Sequence, residues 1–339
     1  MNRGFKKIIV SVCAVFLTAA FVQQDKASSL LSLQSQTVKF DGHGVQLAGT
    51  LVVPKLDAGK RAPGILIVTG ASHTLSEIAT PDAGKASLFR DLAQHLAGRG
   101  FAVLSYDKRC RGESECKPPA TFDDYIDDAR KAMEFLKKQP QVDPAKVFFF
   151  GHDEGGYIAS SLAAFEEAKC SGLILAAMSG RTLGKIVREQ VQNRLTAAGK
   201  PSADISTYMA KFDRIIKGLA SGRSVYSDET FDSKDPHDVL LQDLIKRREI
   251  IVSLLINDPL QIVNGVQAPV LVLQGRKDNQ MSVKDAQYLD EALKRASHPD
   301  ATLQLLDEAD HLLRSGKAAG GIDPAALTSL TEWLQKRAK

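Results

Sequence analysis

The sequence predicts an α/β protein in which helices cover both faces of a mostly parallel sheet. Short apolar runs recur along the chain, amphipathic segments separate them, and one long stretch contains no convincing strand. Hydrophobic residues make up 44% of the 339 residues and charged residues 25%, fractions that exclude disordered, collagen-like and coiled-coil proteins. A chain of this length is compatible with one large α/β domain that carries an insertion.

Eight apolar runs predict the strands. The first two runs flank a turn at residues 41–44 and predict an opening hairpin. The later runs are short and continuously apolar, as expected for strands that are buried on both faces of a parallel sheet. The runs cover residues 38–40, 45–53, 65–68, 101–106, 147–150, 173–177, 270–273 and 303–306.

Amphipathic segments between these runs predict the helices. Within residues 122–136 the apolar side chains recur at helical spacing and fall on one face. Similar segments cover residues 88–97, 157–165, 286–293 and 324–334. Short strands that alternate with helices of this length favour right-handed βαβ units, and therefore a mostly parallel sheet.

The stretch from residue 180 to residue 262 interrupts the alternation with helix-like segments rich in Lys, Arg, Gln and Leu. It is too long for a loop within a compact domain. We therefore predict a helical lid at 180–262, inserted between two core segments at 36–179 and 263–339. A separate helical domain is the alternative, but the strand pattern resumes at once from Pro269.

The first 20 residues predict a signal peptide, and hence a periplasmic or secreted protein. Arg3, Lys6 and Lys7 precede an apolar run at residues 8–22. That run has 15 residues, fewer than the roughly 20 that span a bilayer, so a cleaved signal is favoured over a membrane anchor. Without the three leader cations, 41 basic residues face 40 acidic ones, and nothing in this balance indicates a nucleic-acid partner.

Export would permit disulfides. Cys110 and Cys116 are six residues apart in a stretch rich in Gly, Ser and Pro, and we predict a local bridge between them. Cys170 is then the odd thiol, expected to be buried at the start of a strand. The cysteines show neither CxxC spacing nor paired histidines, so the sequence predicts no metal site.

The segment Gly-His-Asp-Glu-Gly-Gly at 151–156 carries the clearest chemical signal. It follows the apolar run 147–150 and precedes the helix-like segment 157–165. Glycines around a central residue in such a strand-to-helix turn allow the sharp bend of a nucleophile elbow, which exposes that one side chain. The exposed residue is predicted to be Asp153.

These features resemble the α/β-hydrolase superfamily, and more closely its secreted bacterial esterases with a Gly-His-Ser-Glu-Gly-Gly elbow. The Tyr-Asp-Lys-Arg-Cys-Arg-Gly-Glu-Ser segment at 106–114 is similar to their Asp-Lys-Arg-Gly-x-Gly-x-Ser turn. The resemblance covers roughly residues 36 to 337. It implies an eight-stranded, mostly parallel sheet flanked by helices, a small-molecule substrate, and neither a metal nor an organic cofactor.

The resemblance also implies the other site residues. Asp278 follows an apolar run and would orient a histidine, while His311 lies in the loop after the last predicted strand. The chain order of elbow, acid and histidine is that of the superfamily. Backbone N–H groups of Ala71 and Glu154 are expected to form the oxyanion hole. The predicted catalytic set is therefore Asp153, Asp278 and His311.

Aspartate at the elbow leaves three functions open. The lineage indicates a carboxylic-ester hydrolase, yet a carboxylate that attacks an ester would form an acid anhydride. A carboxylate nucleophile suits a saturated carbon, as in the related epoxide hydrolases and dehalogenases, because it forms an ordinary ester that water can hydrolyse. The third possibility is a relative that binds a ligand without turning it over.

Some features of the Asp-nucleophile relatives are absent. Epoxide hydrolases have a His-Gly-x-Pro segment where this chain has Thr-Gly-Ala-Ser at 69–72. Their two acidic lid tyrosines could correspond to Tyr208 and Tyr226, although neither spacing nor context singles these out. The halide-binding tryptophan of the dehalogenases is missing beside the elbow, because Trp333 belongs to the C-terminal helix.

Other polar residues near these motifs are expected to be structural. Lys108, Arg109 and Arg111 are predicted to form ion pairs with neighbouring acids. The basic run at 246–248 is expected to be a solvated face of the lid. His152 is expected to be a packed, hydrogen-bonded core residue, and His73 to be exposed in its loop.

Overall fold

The apolar runs form the strands of one eight-stranded sheet. In the computed structural model, which describes residues 31–69, 88–117, 120–165, 169–223, 229–316 and 321–339, the strand order is β1-β2-β4-β3-β5-β6-β7-β8. The β1–β2 and β2–β4 pairs are antiparallel, and every other pair is parallel. The strands are β1 (Leu33–Asp41), β2 (Gln46–Pro54), β3 (Ala62–Val68), β4 (Ala102–Tyr106), β5 (Val142–His152), β6 (Gly172–Ala176), β7 (Val270–Gly275) and β8 (Ala301–Leu306). The predicted signal peptide lies outside the described residues.

Helices cover both faces of the sheet, as predicted. They are α1 (Leu88–Ala97), α2 (Phe122–Lys137), α3 (Glu154–Ala164), α4 (Leu183–Ala197), α5 (Ser202–Ala220), α6 (Pro236–Lys246), α7 (Arg248–Ile256), α8 (Pro259–Asn264), α9 (Val283–Arg295) and α10 (Pro324–Ala338). α1 and α10 pack on one face, and α2, α3 and α9 pack on the other. Since alternate residues of a strand point to opposite faces, a buried strand contributes to both apolar clusters, as Phe149 and Phe150 of β5 do.

Local sequence explains where two of the helices begin. Thr121 caps α2 by accepting the Asp124 N–H, and the Asp124 carboxylate accepts the Thr121 N–H in return. Ser282 and Asp285 form the same reciprocal arrangement at the start of α9. Each capping box satisfies backbone donors that the first helical turn leaves unpaired.

Helices α4 to α8 occupy the stretch between β6 and β7. Their apolar residues, including Phe212 and Leu241, belong to the same buried cluster as those of α2 and α3. That this insertion acts as a lid stays a prediction. None of the helices in the described part of the chain is both long and apolar enough to cross a bilayer.

The loop after β4 is held by a disulfide and an ion pair. Cys110 and Cys116 form the predicted bridge, and Cys170 is free and half-buried, two residues before β6. The prediction of export stays a prediction.

The predicted ion pairing holds for Arg109 but is wrong for Lys108. The Arg109 guanidinium, which is 2% exposed, donates to both oxygens of the fully buried Asp128 at 2.7 and 2.8 Å. It also lies 3.1 Å from Asp124 and donates to the carbonyl of His43. Lys108 is equally buried, yet its Nζ has no hydrogen-bond partner in the described structure. The two neighbouring cations point into different surroundings, which their sequence does not distinguish.

The Arg109–Asp128 pair joins the β4 loop, α2 and the β1–β2 turn, whose His43 N–H donates to Asp128. Asp128→Ala leaves a buried guanidinium without its two-oxygen partner, and we expect it to lower the free energy of unfolding by about 3 kcal/mol or more. Asp123→Ala, an exposed acid of the same helix, is the control, with an expected loss of about 0.5 kcal/mol. Urea unfolding followed by circular dichroism measures both. Equal, small losses in the two variants would contradict the structural role of the pair.

Candidate active site

The turn between β5 and α3 has the conformation of a nucleophile elbow. Asp153 adopts φ 53° and ψ −124°, a backbone conformation that non-glycine residues rarely occupy and that costs about 1–3 kcal/mol. Its N–H donates to the carbonyl of Ala176, and its own carbonyl accepts the N–H of Gly156. The strand before and the helix after the turn therefore fix the direction in which the Asp153 side chain leaves the backbone.

The glycines of the motif are required because backbones approach closely here. A Cβ on Gly151 would lie 2.6 Å from the Cα of Gly156, and a Cβ on Gly155 would lie 2.2 Å from the carbonyl oxygen of Val68. Side chains at either position would force α3 away from β3 and β5. Glycine is therefore needed at these two positions because α3 packs directly against β3 and β5.

Asp278 and His311 form a close pair on neighbouring strand ends. The distance from His311 Nδ1 to Asp278 Oδ2 is 3.0 Å, and both side chains are buried. Asp278 also accepts the N–H groups of Gln280 and Met281 and the side-chain amide of Gln274. Four donors therefore hold this carboxylate in one orientation, and it in turn fixes the tautomer and plane of the imidazole.

Electrostatics in this pair favours the ionised forms. Burial by itself raises the pKa of Asp278, but the hydrogen bond and charge of His311, with the other donors, hold it below the ordinary value. Burial by itself lowers the pKa of His311, but the hydrogen bond and charge of Asp278, with the charge of Asp153, raise it above the ordinary value. An imidazole with this environment is a suitable general base near neutral pH.

The surroundings of Asp153, in contrast to those of the Asp278–His311 pair, favour the neutral form of the side chain. Loss of hydration, reinforced by the charge of Glu154, raises the pKa of Asp153 to about 6. The charges of His311 and Lys108 and a hydrogen bond from the Glu154 N–H oppose this rise. At neutral pH the carboxylate is therefore still mostly ionised, but it is less strongly solvated than an exposed aspartate.

The Glu154 N–H, at the start of α3, is the part of the predicted oxyanion hole that the structure describes. It donates to the Asp153 carboxylate and lies at the positive end of the helix dipole. Ala71, the other predicted donor, lies outside the described residues, as do His73 and Tyr226. The site as described therefore contains one backbone donor for developing negative charge.

His152 has the structural role that the sequence predicts. It is fully buried, its Nε2–H donates to the carbonyl of His311 at 2.8 Å, and its ring lies 5.0 Å from the His311 ring. The residue before the elbow thereby positions the loop that carries His311. On that loop, Asp310 accepts the N–H groups of Leu312 and Arg314 and closes the turn.

The fold brings the predicted residues together from distant parts of the chain. Asp153, Asp278 and His311 follow β5, β7 and β8, and parallel strands place their carboxyl ends at one edge of the sheet. Tyr208, in contrast, has its ring contacts with His237 and Lys211 of the insertion. Trp333 packs on Phe148 from α10, as expected for a residue of the C-terminal helix.

Two residues near the site were not identified from the sequence. Gln274 is a fully buried polar residue in the apolar strand β7, and this exception to the pattern is a signal that could have identified it. Arg247, between α6 and α7, lies 3.9 Å from the Glu154 carboxylate and 3.4 Å from that of Asp243. The basic run is therefore not only a solvated face, and only the tertiary structure brings Arg247 to the elbow.

Comparison with known proteins gives a family match and several curated relatives. Residues 83–315, more than half of the chain, match the family described as serine aminopeptidase, S33. The chain is 24% identical over 315 residues to the esterase EstD of Thermotoga maritima, covering 86% of this chain and 66% of EstD. It is 32% identical over 137 residues to the uncharacterized protein Rv2307c of Mycobacterium tuberculosis, covering 40% of this chain and 43% of that protein. The chain thus spans less than two thirds of the length of these curated relatives.

Solved structures extend the likeness to the whole fold. The Pyrococcus furiosus esterase Pf2001 has a TM-score of 0.61 to this structure at 16% sequence identity, covering 91% of this chain and 92% of that chain. Because the identity is low, this likeness concerns the fold alone. Together with the match over residues 83–315, it leads to one conclusion: the chain belongs to the serine aminopeptidase (S33) family and has the α/β-hydrolase fold.

Proposed function

We propose that the protein is a hydrolase in which Asp153 is a covalent nucleophile toward a saturated carbon, His311 is the general base and Asp278 orients His311. One observation carries the proposal. Asp153 occupies the strained position of a nucleophile elbow, accepts a hydrogen bond from the Glu154 N–H, and interacts electrostatically with His311, which is itself bound to Asp278. Such an arrangement supports a two-step displacement.

In the first step, an oxygen of the Asp153 carboxylate attacks the substrate carbon, and the leaving group departs with the bonding electrons. In the second step, His311 takes a proton from water as the water oxygen attacks the new ester carbonyl. The Glu154 N–H stabilises the resulting oxyanion. Collapse of this intermediate releases the alcohol, which receives the proton from His311, while Asp278 stabilises the imidazolium formed in between.

Ester hydrolysis is the second candidate, and the family supports it, since EstD and Pf2001 are named as esterases. The chemical obstacle is the residue at the elbow. Attack of a carboxylate on an acyl carbon gives an anhydride, whereas attack on a saturated carbon gives a stable ester. For this reason we favour an epoxide or an alkyl halide as the substrate class.

His311→Ala tests the covalent step directly. Without its base the second step stops, so the variant should retain the ester on Asp153 after incubation with an aryl epoxide or an alkyl bromide. Intact-mass spectrometry should show one equivalent of adduct, and peptide mapping should place it on Asp153. Asp153→Ala/His311→Ala is the matched control and should give none. Absence of any adduct across both substrate classes would support a relative that binds a ligand without turnover.

The pH dependence of the reaction follows from the two shifted groups. Asp153 must be ionised to attack, so kcat/KM should rise as pH increases through about 6. His311 must be neutral to accept a proton, so kcat should rise through a pKa above the ordinary histidine value. Asp278→Asn removes the charge that raises the His311 pKa, so the rise of kcat with pH should move to lower pH. The rise of kcat/KM with pH should stay in place, because it depends on Asp153. A profile that is flat from about pH 5 to pH 8 would contradict both assignments.

Asp153→Ser tests whether the remaining machinery still supports acyl transfer. A serine hydroxyl could lose its proton to His311 and attack an aryl ester, with the oxyanion held by the Glu154 N–H. We expect a gain of about 100-fold or more over the wild type on p-nitrophenyl acetate, in line with the contribution of one oxyanion donor. Asp153→Ser/His311→Ala should lose this gain. A folded but inert serine variant would show that the site no longer fits an ester.

A further inference from the structure

Lys108 is a buried cation that the proposed displacement does not yet use. It is 2% exposed, and its Nζ has no hydrogen-bond partner in the described part of the chain. The centroid of the Tyr125 ring lies 5.5 Å from Nζ. Burial of an ammonium without hydrogen bonds is unfavourable, so this side chain is retained at a cost in stability.

Strand register places Lys108 beside the elbow. Ser105 of β4 pairs with Ile67 of β3, which pairs with Phe150 of β5. Lys108 and Asp153 each follow their own member of this row by three residues, at the same carboxyl edge of the sheet. The backbones of Lys108 and Asp153 are therefore separated by two strand spacings of about 4.8 Å each. The four-carbon stem of a lysine can cover most of that distance.

The surrounding loop holds Lys108 in this direction. The next residue, Arg109, points toward α2 and is bound to Asp128. The Lys108 carbonyl accepts the N–H of Arg111, and the Cys110–Cys116 bridge closes the rest of the loop. The position of the ammonium is therefore set by the fold.

Charges from three elements and an aromatic ring from a fourth surround the ammonium. Asp153 and Glu154 come from the elbow, Arg247 comes from the insertion, Arg111 comes from the same loop, and the Tyr125 ring comes from α2. Burial lowers the pKa of Lys108 to about 8; the two guanidinium groups reinforce this effect, and the two carboxylates oppose it. The ammonium is thus still charged at neutral pH, but it gives up its proton more readily than an exposed lysine.

We propose that Lys108 donates the proton to the leaving oxygen of an epoxide substrate, a role that rests on the proposed function of Asp153. Asp153 forms a bond to a ring carbon, the C–O bond breaks toward the ring oxygen, and that oxygen takes a proton from Nζ. Hydrolysis of the ester then releases the diol and leaves Asp153 as a carboxylic acid. Its proton returns to the Lys108 amine, so the net reaction is epoxide plus water to diol.

A comparison of two leaving groups distinguishes proton donation by Lys108 from simple stabilisation of charge. An alkoxide is a poor leaving group and needs a proton as the C–O bond breaks, whereas bromide leaves as a stable anion. Loss of a proton donor should therefore slow the opening of an epoxide far more than the displacement of bromide. General acids of this kind contribute about 10²–10⁴-fold.

The experiment measures formation of the Asp153 ester alone, in the His311→Ala background, by time-resolved intact-mass spectrometry. Styrene oxide and phenethyl bromide are the two probes. Adding Lys108→Met should slow adduct formation from styrene oxide at least 100-fold and from phenethyl bromide less than 10-fold. Lys108→Arg, which keeps the charge but cannot release a proton near neutral pH, should behave like Lys108→Met. Lys117→Met, an exposed lysine of the same loop, is the control and should change neither rate.

The pH dependence of adduct formation distinguishes a proton donor from a purely structural Lys108, because a structural role would not change this dependence. With Lys108 present, the rate with styrene oxide should fall as pH rises through about 8, because the acid form is lost. The rate with phenethyl bromide should not fall, and the alkaline limb should be absent in Lys108→Arg. Urea unfolding of each variant confirms that the comparison concerns folded protein.

The outcomes distinguish the two proposals. No adduct from either probe with Lys108 intact would contradict the nucleophilic role of Asp153 itself. An adduct from phenethyl bromide but not from styrene oxide would support the nucleophile and overturn the role of Lys108. Equal slowing of both probes in Lys108→Met, or unchanged epoxide opening in Lys108→Arg, would likewise overturn it.

Discussion

The left-handed backbone of Asp153, with φ 53°, determines the arrangement of the groups around it. This conformation turns the chain from β5 into α3 within one residue, and it is accessible because Gly151 and Gly155 leave room for the neighbouring backbone. The same turn places the Glu154 N–H at the start of a helix and directs the Asp153 carboxylate toward the loop of His311. Relaxation of this residue to an ordinary conformation would displace both the Asp153 carboxylate and the Glu154 N–H from the site.

The edge of the sheet keeps its charges in two separate environments. On the side of β7 and β8, Asp278 accepts four hydrogen bonds and stays ionised, which raises the pKa of His311. On the side of β4 and β5, Asp153 and Lys108 are both desolvated, so their pKa values shift toward each other. The Asp278–His311 pair therefore lies on one side of this edge, and the two desolvated groups Asp153 and Lys108 lie on the other.

The insertion contacts the elbow through polar groups as well as through the core. Arg247 approaches Glu154, and the hydroxyl of Tyr157 in α3 donates to the carbonyl of Arg181 at the entry to the insertion. Arg181 is itself bound to Asp285 of α9. The entry of the insertion is therefore tied to α3 and α9, and Arg247 connects a later part of the insertion to the start of α3. Movement of the insertion would alter the charge around Glu154.

The sequence by itself determined the strands and core helices, because apolar periodicity reports burial directly. It also singled out Asp153, Asp278 and His311 as candidate site residues, because each follows a recognisable strand. It also determined the Cys110–Cys116 bridge, since the two residues are close along the chain. Tertiary structure alone decided the different surroundings of Lys108 and Arg109, because pairing depends on which helix packs above each side chain. It likewise decided the approach of Arg247 to Glu154, which are 93 positions apart in the numbering. Local patterns record whether a residue is buried, but only the packed fold determines which charges face one another.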